Sequence, residues 1–186
     1  MRTVATAAMV IGAIVTSTGV ATAHAEEPQA PIVANGSFEE PDVGAYEFFD
    51  DRIPGWTVTS GEIEIIDQSI GSGFQARSGS QVLAFNEPGT ASQNVPTTPG
   101  LRYRLTFHLA READATGPIT LDVTLGDATE RFTVPLDQTG YREEAIEFTG
   151  TASASATRIA FASDNPTEAG PVVDDVAVEV LDAPVR

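Results

Sequence analysis

The chain has 186 residues, of which 27 are acidic and 10 are arginine or lysine, and its formal net charge is −17. All ten are arginines, and the chain has no cysteine. This composition excludes disulfides, thiolate metal sites, lysine Schiff bases and the lysine-dependent phosphate loop. The acidic charge also argues against nucleic acids and anionic membrane surfaces as partners.

The N-terminus predicts a secreted protein. A basic start at Met1-Arg2 precedes an apolar run rich in small residues, which ends at Ala23-His24-Ala25. This order is typical of a cleaved signal peptide. We therefore predict a signal peptide over residues 1–25, one domain over 26–182 and a short tail over 183–186, with free secretion to the extracellular space.

The rest of the chain predicts β-strands separated by turns. The stretch "GEIEIID" (61–67) alternates acidic and apolar residues, and "LRYRLTFHLA" (101–110) places its aromatic and leucine residues on one face. Such alternation is typical of half-buried strands. Gly126-Asp127 lies between two strand-like segments and predicts a short hairpin. Further predicted strands are "GWTVTS", "QVLAFN", "EEAIEFTG", "TRIAFAS" and "VVDDVAVEV". With no amphipathic helix of normal length, the fold class is all-β: an antiparallel β-sandwich or jelly roll.

The last predicted strand contains an acid where a core residue is expected. In "VVDDVAVEV", Asp174 shares the parity of four valines and would face the core with them. A buried carboxylate without a partner costs several kcal/mol, so a cation, a proton or a set of donors must compensate it. Oxygen ligands in an acidic extracellular protein favour calcium. The alternative is that Asp174 or Asp175 accepts hydrogen bonds from backbone N–H groups, while Glu39 and Glu40 near the start of the domain are merely solvated.

The motif "NGSFEEP" (35–41) offers a second carboxylate for that ion. If the first and last strands lie side by side, as is common in antiparallel sandwiches, Glu39 comes close to Asp174. The sequence therefore predicts a calcium ion between Glu39 and Asp174, near the two ends of the domain.

Five segments together resemble a known group of domains. They are "NGSFEEP", "IPGWTVTSGEIEII", "SGSQVLAF", "SQNVPTTPGLRYRLTFHLA" and "VVDDVAV". They resemble galactose-binding-like jelly-roll domains, and most closely the plant cell-wall family of unknown function numbered six-four-two. The bacterial choice-of-anchor C family and related carbohydrate-binding modules are similar. Plant members, however, have cysteines where this chain reads "AREADA", and two domains in tandem.

The resemblance implies a non-catalytic sandwich that binds a polysaccharide or a surface glycan and often holds a structural calcium ion. By the same resemblance Glu39 and Asp174 would ligate calcium, with Asp175 as a further candidate. Backbone carbonyls of residues 77–80 would complete the shell.

The sugar site itself has several candidates. Trp56 is expected in the core, because large aromatic side chains are usually buried. Tyr46, Phe48 and Phe49 lie in an acidic segment that is expected to be a loop at the rim of the sandwich and could form an aromatic platform. The outward row Arg102, Arg104, Thr106 and His108 could instead bind sugar hydroxyls. The alternative for this row is a solvated face on which arginines balance nearby acids.

Two other functions stay open at this point. A protein-interaction sandwich would use the apolar "AYEFF" segment as an anchor for a partner at the cell surface. A glycosidase would need two carboxylates at a suitable separation. In a chain with 27 acidic residues such a pair can always be found, so the number of acids is no evidence for a glycosidase. We expect no catalytic residues.

Overall fold

The computed structural model describes residues 32–70, 75–151, 154–165 and 169–181. The signal peptide predicted over 1–25 and the tail over 183–186 lie outside these residues. Among the described residues, no helix has the length and apolar character that crossing a bilayer requires.

Within the described ranges twelve strands form two antiparallel sheets, which confirms the predicted fold class. Sheet I has the order β1-β4-β5-β12-β7-β10, and sheet II has the order β2-β3-β6-β11-β8-β9. The strands are β1 (Tyr46–Phe49), β2 (Arg52–Ile53), β3 (Trp56–Gly61), β4 (Ile63–Asp67), β5 (Gln81–Ala84), β6 (Gly89–Pro96), β7 (Arg102–Arg111), β8 (Ile119–Leu125), β9 (Ala128–Val134), β10 (Arg142–Thr149), β11 (Ala156–Ser163) and β12 (Pro171–Val180). A 3₁₀ turn, Gln68–Ile70, follows β4.

The two sheets enclose a core with a chain of aromatic rings. Phe38 lies 5.5 Å from Trp56, which lies 5.8 Å from Phe161. Phe161 lies 5.2 Å from Phe107, and Phe107 lies 5.3 Å from Phe132. Offset and edge-to-face aromatic contacts of this kind stabilise a core beyond the area that they bury. Trp56 is 2% exposed, which confirms its predicted place in the core.

The segment before β1 is fixed by buried amides. Gln93 pairs with the backbone of Ala34 in both directions, at 2.8 and 2.9 Å. The Gln81 amide donates to the carbonyls of Phe38 and Pro41. Because these hydrogen bonds are shielded from water, they hold the segment firmly and keep the Phe38 ring in the core.

The prediction that the first and last strands are neighbours is wrong. β1 lies at the edge of sheet I, whereas β12 lies between β5 and β7. The segment before β1 nevertheless reaches β12, because the N–H of Val176 donates to the carbonyl of Gly36 at 2.8 Å.

The outer face of sheet I is partly covered, and this distinguishes it from an ordinary solvated face. A second apolar cluster lies there, formed by Ile66, Val82, Ala84, Ala110 and Val172, with Ala76 and Tyr141 packed against it. As a result every residue of β4 is buried. The half-buried strand predicted from "GEIEIID" is therefore buried on both faces.

A β-bulge in β12 changes which residues face the core. The register of β12 against β7 shifts between Asp174 and Ala177, and Asp175 has a φ of 53°. Before the bulge Val173 is in the main core, and after it Val176 and Val178 are. Asp174, which pairs with His108, thus faces away from the core on the outer face of sheet I. The predicted burial of Asp174 is confirmed, at 0% exposed, but its predicted face is wrong.

Candidate functional site

Asp174 is buried because the loop before β5 covers it. Its Oδ2 accepts hydrogen bonds from the N–H groups of Arg77 at 2.7 Å and Ser78 at 2.9 Å. Its Oδ1 accepts one from the N–H of Asp175 at 2.6 Å. Burial raises the pKa of Asp174 to about 7, and these three N–H groups oppose that rise. A carboxylate with three N–H donors holds a loop strongly when it is ionised.

Glu39 binds the next residues of the same loop. Its carboxylate accepts from the N–H of Ser80 at 3.0 and 3.1 Å and from the N–H of Gln81 at 2.8 Å. Gly79, between the two sets of contacts, has a φ of +64°, and a Cβ there would lie 2.3 Å from the Glu39 carboxyl carbon. The two acids that the sequence singled out therefore hold one loop, residues 77–81, from its two ends. We call this arrangement the acidic anchor.

The donor set of the acidic anchor does not suit a cation. Calcium in proteins is bound by six to eight oxygens at about 2.3–2.6 Å. Around Glu39 and Asp174 the loop that was expected to offer carbonyl oxygens presents N–H groups instead. No group of three or more His, Asp or Glu within the described part of the chain is arranged to hold a metal. The geometry matches the alternative weighed for Asp174, and we derive no role for calcium at these oxygens. Calcium itself stays a prediction, which a chelator experiment tests.

Asp175, the third predicted ligand, lies beside His108 instead. Its Oδ2 is 3.3 Å from His108 Nδ1, and Glu143 Oε2 is 3.8 Å from the other ring nitrogen. The ring of Tyr141 packs edge-on against His108 at 6.4 Å. The outward orientation of His108 is as predicted, but its exposure is only 9%, so it is not a surface histidine. Asp175, Glu143 and Tyr141 lie against His108 from other segments, and the alternation along its own strand does not predict these contacts.

The arginine row of β7 is balanced by acids. Arg104 contacts Glu147 at 3.0 Å and Glu179 at 3.3 Å, and Arg102 lies 3.7 Å from Glu147. A shallow groove of about 440 Å³ runs past Arg104 and Thr106. The contacts are those of the solvated, charge-balanced face that was the alternative for this row. Whether Arg102 and Arg104 bind a ligand stays a prediction.

The three aromatic residues of "AYEFF" do not act together. They form β1, an edge strand, where a rim loop was expected. Tyr46 and Phe48 are 56% and 46% exposed on the outer face of sheet I, and their rings lie 5.9 Å apart. Phe49 turns the other way and packs against the core. Four strand spacings separate β1 from β7, about 19 Å in total.

A cleft larger than the groove beside Arg104 lies on this outer face, at the end of β7. It measures about 680 Å³ and is bounded by three segments that are far apart in sequence. We call it the β7 cleft. Its lining residues are Gln75, Ala76, Arg77, Ala110, Arg111, Glu112, Ala113, Leu136, Gln138, Thr139, Gly140 and Tyr141. Because Arg77 is also held by Asp174, the acidic anchor fixes one wall of this cleft.

Unpartnered polar atoms are concentrated at and next to the β7 cleft. Among the described residues, five buried side-chain atoms have no hydrogen-bond partner. Three belong to cleft residues: Arg111 Nε, Glu112 Oε1 and Tyr141 Oη. The other two are Asn86 Oδ1 and His108 Nδ1. Buried polar atoms in proteins are nearly always paired with protein groups, water or a ligand, so this group marks a place where water or a ligand completes the hydrogen bonds.

Two acids near the cleft have strongly shifted pKa values. Burial raises the pKa of Glu64 to about 7. Burial also raises the pKa of Glu112 to about 7, and the charge of Glu64 adds to that rise. The Asn86 amide donates to Glu64 and opposes the shift. Glu64 is 5% exposed, and only Glu112 of the two lines the cleft.

The sequence reasoning missed the cleft residues Arg111, Glu112 and Tyr141. One signal was present: the charged pair Arg111-Glu112 comes directly after the apolar residues Leu109 and Ala110, so polar groups gather at the end of this strand. The position of Tyr141 against this strand end depends on the chain path between β9 and β10, which no local pattern gives.

Comparison with known proteins identifies the family. The model of the family described as "Protein of unknown function (DUF642)" matches residues 31–179, so the chain belongs to this family. This confirms the resemblance seen in the sequence. The comparison with curated proteins gives no match.

Solved structures share the fold at low identity. The CBM22-1 xylan-binding domain of Paenibacillus barcinonensis Xyn10C is 16% identical, with a TM-score of 0.50, and the match covers 70% of this chain and 88% of that one. TmCBM61, in complex with β-1,4-galactotriose, is 14% identical with a TM-score of 0.53, covering 81% and 99%. The α-L-arabinofuranosidase MgGH51 is 11% identical with a TM-score of 0.52, covering 68% and 23%.

Proposed function

We propose that this DUF642 member is a secreted, non-catalytic carbohydrate-binding module and that its sugar site is the β7 cleft. The observation that carries the proposal is the set of unpartnered buried atoms in the cleft, Arg111 Nε, Glu112 Oε1 and Tyr141 Oη. They include donors and acceptors side by side. A sugar hydroxyl both donates and accepts hydrogen bonds, so a sugar satisfies such a mixed set better than a purely apolar ligand does.

The size and walls of the cleft support the same ligand class. Its volume of about 680 Å³ is within the range of small-ligand sites, about 300–1,000 Å³. Tyr141 offers a ring edge and a hydroxyl together, and the side-chain amides of Gln75 and Gln138 line the opening. Planar polar groups and an aromatic ring suit the hydroxyls and the apolar face of a sugar.

The shared fold adds support, since two of the matched structures are carbohydrate-binding modules. One is a xylan-binding domain and the other is in complex with β-1,4-galactotriose. Secretion is supported by the sequence pattern of residues 1–25.

The arrangement of Glu64 and Glu112, the two acids with raised pKa values, favours sugar binding over sugar hydrolysis. A glycosidase presents two carboxylates to the same glycosidic bond. Here Glu112 lines the cleft, whereas Glu64 is 5% exposed and its carboxylate accepts from Asn86. We therefore expect no release of reducing sugar from polysaccharides incubated with the protein.

A pull-down with insoluble polysaccharides, followed by a glycan array, tests the proposal. Ala113→Trp fills the cleft, and Ala128→Trp places the same ring on an exposed residue of β9, outside it. We expect wild type and Ala128→Trp to be retained and Ala113→Trp to be lost. Equal retention of all three proteins would move the sugar site elsewhere. Capture of a protein partner without any glycan would favour the protein-interaction alternative.

A further inference from the structure

The β7 cleft contains an arginine whose charge has no counter-ion. The guanidinium of Arg111 donates to the backbone carbonyls of Leu136 and Ala115, which fixes its orientation. Its Nε is buried without a partner. Within the described ranges, no carboxylate lies within ion-pair distance of Arg111, although Glu112 is its chain neighbour. A partly buried charged donor without an acceptor is costly, and an anionic acceptor relieves the cost better than a neutral one.

A second arginine lines the same cleft in the same condition. The backbone of Arg77 is fixed by Asp174, while its side chain is exposed at the cleft and has no ion-pair partner among the described residues. Other arginines are paired, as Arg131 is with Asp122 at 2.6 Å and Arg104 is with Glu147 at 3.0 Å. What distinguishes Arg77 from other exposed arginines is its place in one cleft with Arg111.

The acid in the cleft does not neutralise these arginines. Glu112 has one carboxylate oxygen buried without a partner, and its immediate electrostatic neighbours are Glu64, Asp114 and the Asn86 amide. Burial and the charge of Glu64 raise its pKa to about 7, so below that pH its carboxyl is largely neutral and can donate a hydrogen bond. The cleft then presents two guanidinium groups and a neutral acid.

We infer that the β7 cleft recognises a sugar that carries a carboxylate, that is, a glycan containing uronic acid. The carboxylate accepts from the Nε of Arg111 and from the guanidinium of Arg77, while the sugar hydroxyls contact Tyr141 and Glu112. The exposed guanidinium of Arg77 can match a planar carboxylate in two parallel hydrogen bonds, which gives orientation as well as affinity. Arg111 adds its Nε alone, because its two terminal nitrogens donate to backbone carbonyls. The inference rests on the proposed function, since it names the sugar class for the same cleft.

The overall charge makes this inference easy to test. A protein with a formal net charge of −17 repels a polyanion, so non-specific attraction would not retain it on a polyuronate. The probes are a polygalacturonate and a neutral galactan, compared by affinity electrophoresis at pH 6. The variants are Arg77→Gln and its matched control Arg52→Gln. Both remove one exposed arginine charge, but Arg52 lies on β2 in sheet II, outside the cleft.

We expect the polygalacturonate to retard wild type and Arg52→Gln alike, and Arg77→Gln to bind it about tenfold more weakly. Added salt should weaken the wild-type interaction. Binding of the galactan with no binding of the polyuronate would overturn the inference and leave sugar binding intact. Equal loss in both variants would also overturn it, because the effect would then follow net charge and not the cleft. Absence of binding to every glycan would overturn the proposed function itself.

Discussion

Asp174→Asn removes half of the acidic anchor with little change in shape. The carboxylate accepts three N–H groups, from Arg77, Ser78 and Asp175. An amide keeps one oxygen for the loop but turns N–H groups toward the N–H of Asp175, so one buried donor loses its acceptor. A hydrogen bond to a charged group contributes about 1.5–3 kcal/mol, and a buried donor left unpaired costs about 1–3 kcal/mol more. Removing the charge acts in the opposite direction, because burial raises the pKa of Asp174 to about 7 and its ionised form therefore carries a desolvation cost at pH 8 that the amide does not. We expect the lost hydrogen bonds to outweigh this relief, with a net loss of about 2 kcal/mol in the free energy of unfolding at pH 8.

Urea unfolding followed by tryptophan fluorescence measures this loss. The chain has a single tryptophan, Trp56, which is 2% exposed in the core and so reports on unfolding of the sandwich. For a domain of this size a loss of about 2 kcal/mol lowers Tm by about 4–8 °C. The matched control is Asp122→Asn, which breaks an exposed pair with Arg131 and should cost at most about 1 kcal/mol. Equal losses in the two variants would refute the anchoring role of Asp174.

Three further predictions concern the same face of sheet I. Burial raises the pKa of Glu64 to about 7, so the folded state is stabilised by the protonated carboxyl; this stabilisation is fully present below about pH 4.5 and is lost as the pH rises through 7. Glu64→Gln should therefore raise the free energy of unfolding by about 1–2 kcal/mol at pH 8 and leave it unchanged at pH 4. A variant no more stable than wild type at pH 8 would contradict this. Gly79→Ala adds a Cβ 2.3 Å from the Glu39 carboxyl carbon at a φ of +64°, whereas in Gly100→Ala the Cβ meets open space at a φ of +78°. Both variants are strained by the left-handed backbone, but only Gly79→Ala also has the clash, so only it should shift the loop amides in NMR spectra. A greater loss in the free energy of unfolding for Gly100→Ala, measured in urea, would count against the clash. Adding calcium or a chelator should leave Tm unchanged, because N–H groups already occupy the carboxylate oxygens of Glu39 and Asp174. A rise in Tm with calcium that Asp174→Asn abolishes would instead support the calcium ion predicted from the sequence.

Strand alternation predicted most of the fold, because each strand has one face on the main core. In β7 the residues Tyr103, Leu105, Phe107 and Leu109 are all in that core, as their spacing predicts. The same logic failed at β12, where the left-handed backbone at Asp175 accompanies a bulge and reverses the parity of the residues beyond it. A one-residue bulge leaves no reliable mark in the hydrophobic pattern.

The candidate site was predictable only in part. The sequence identified Glu39 and Asp174 as a pair, because each is an acid next to core residues and lies near an end of the domain. It did not show what they bind, since that depends on the direction of N–H groups in a loop far away in sequence. The cleft was missed for a similar reason: Arg77, Arg111 and Tyr141 come from three separate segments, and only the folded sheet brings them together.

NMR mapping of a bound glycan tests the sugar site most directly. ¹H–¹⁵N spectra of the mature protein are recorded while an oligosaccharide selected on the array is added. The account predicts amide shift changes confined to the walls of the β7 cleft, at residues 75–77, 110–113 and 136–141. Changes centred on the groove beside Arg104 and Glu179, with the cleft amides unmoved, would contradict it.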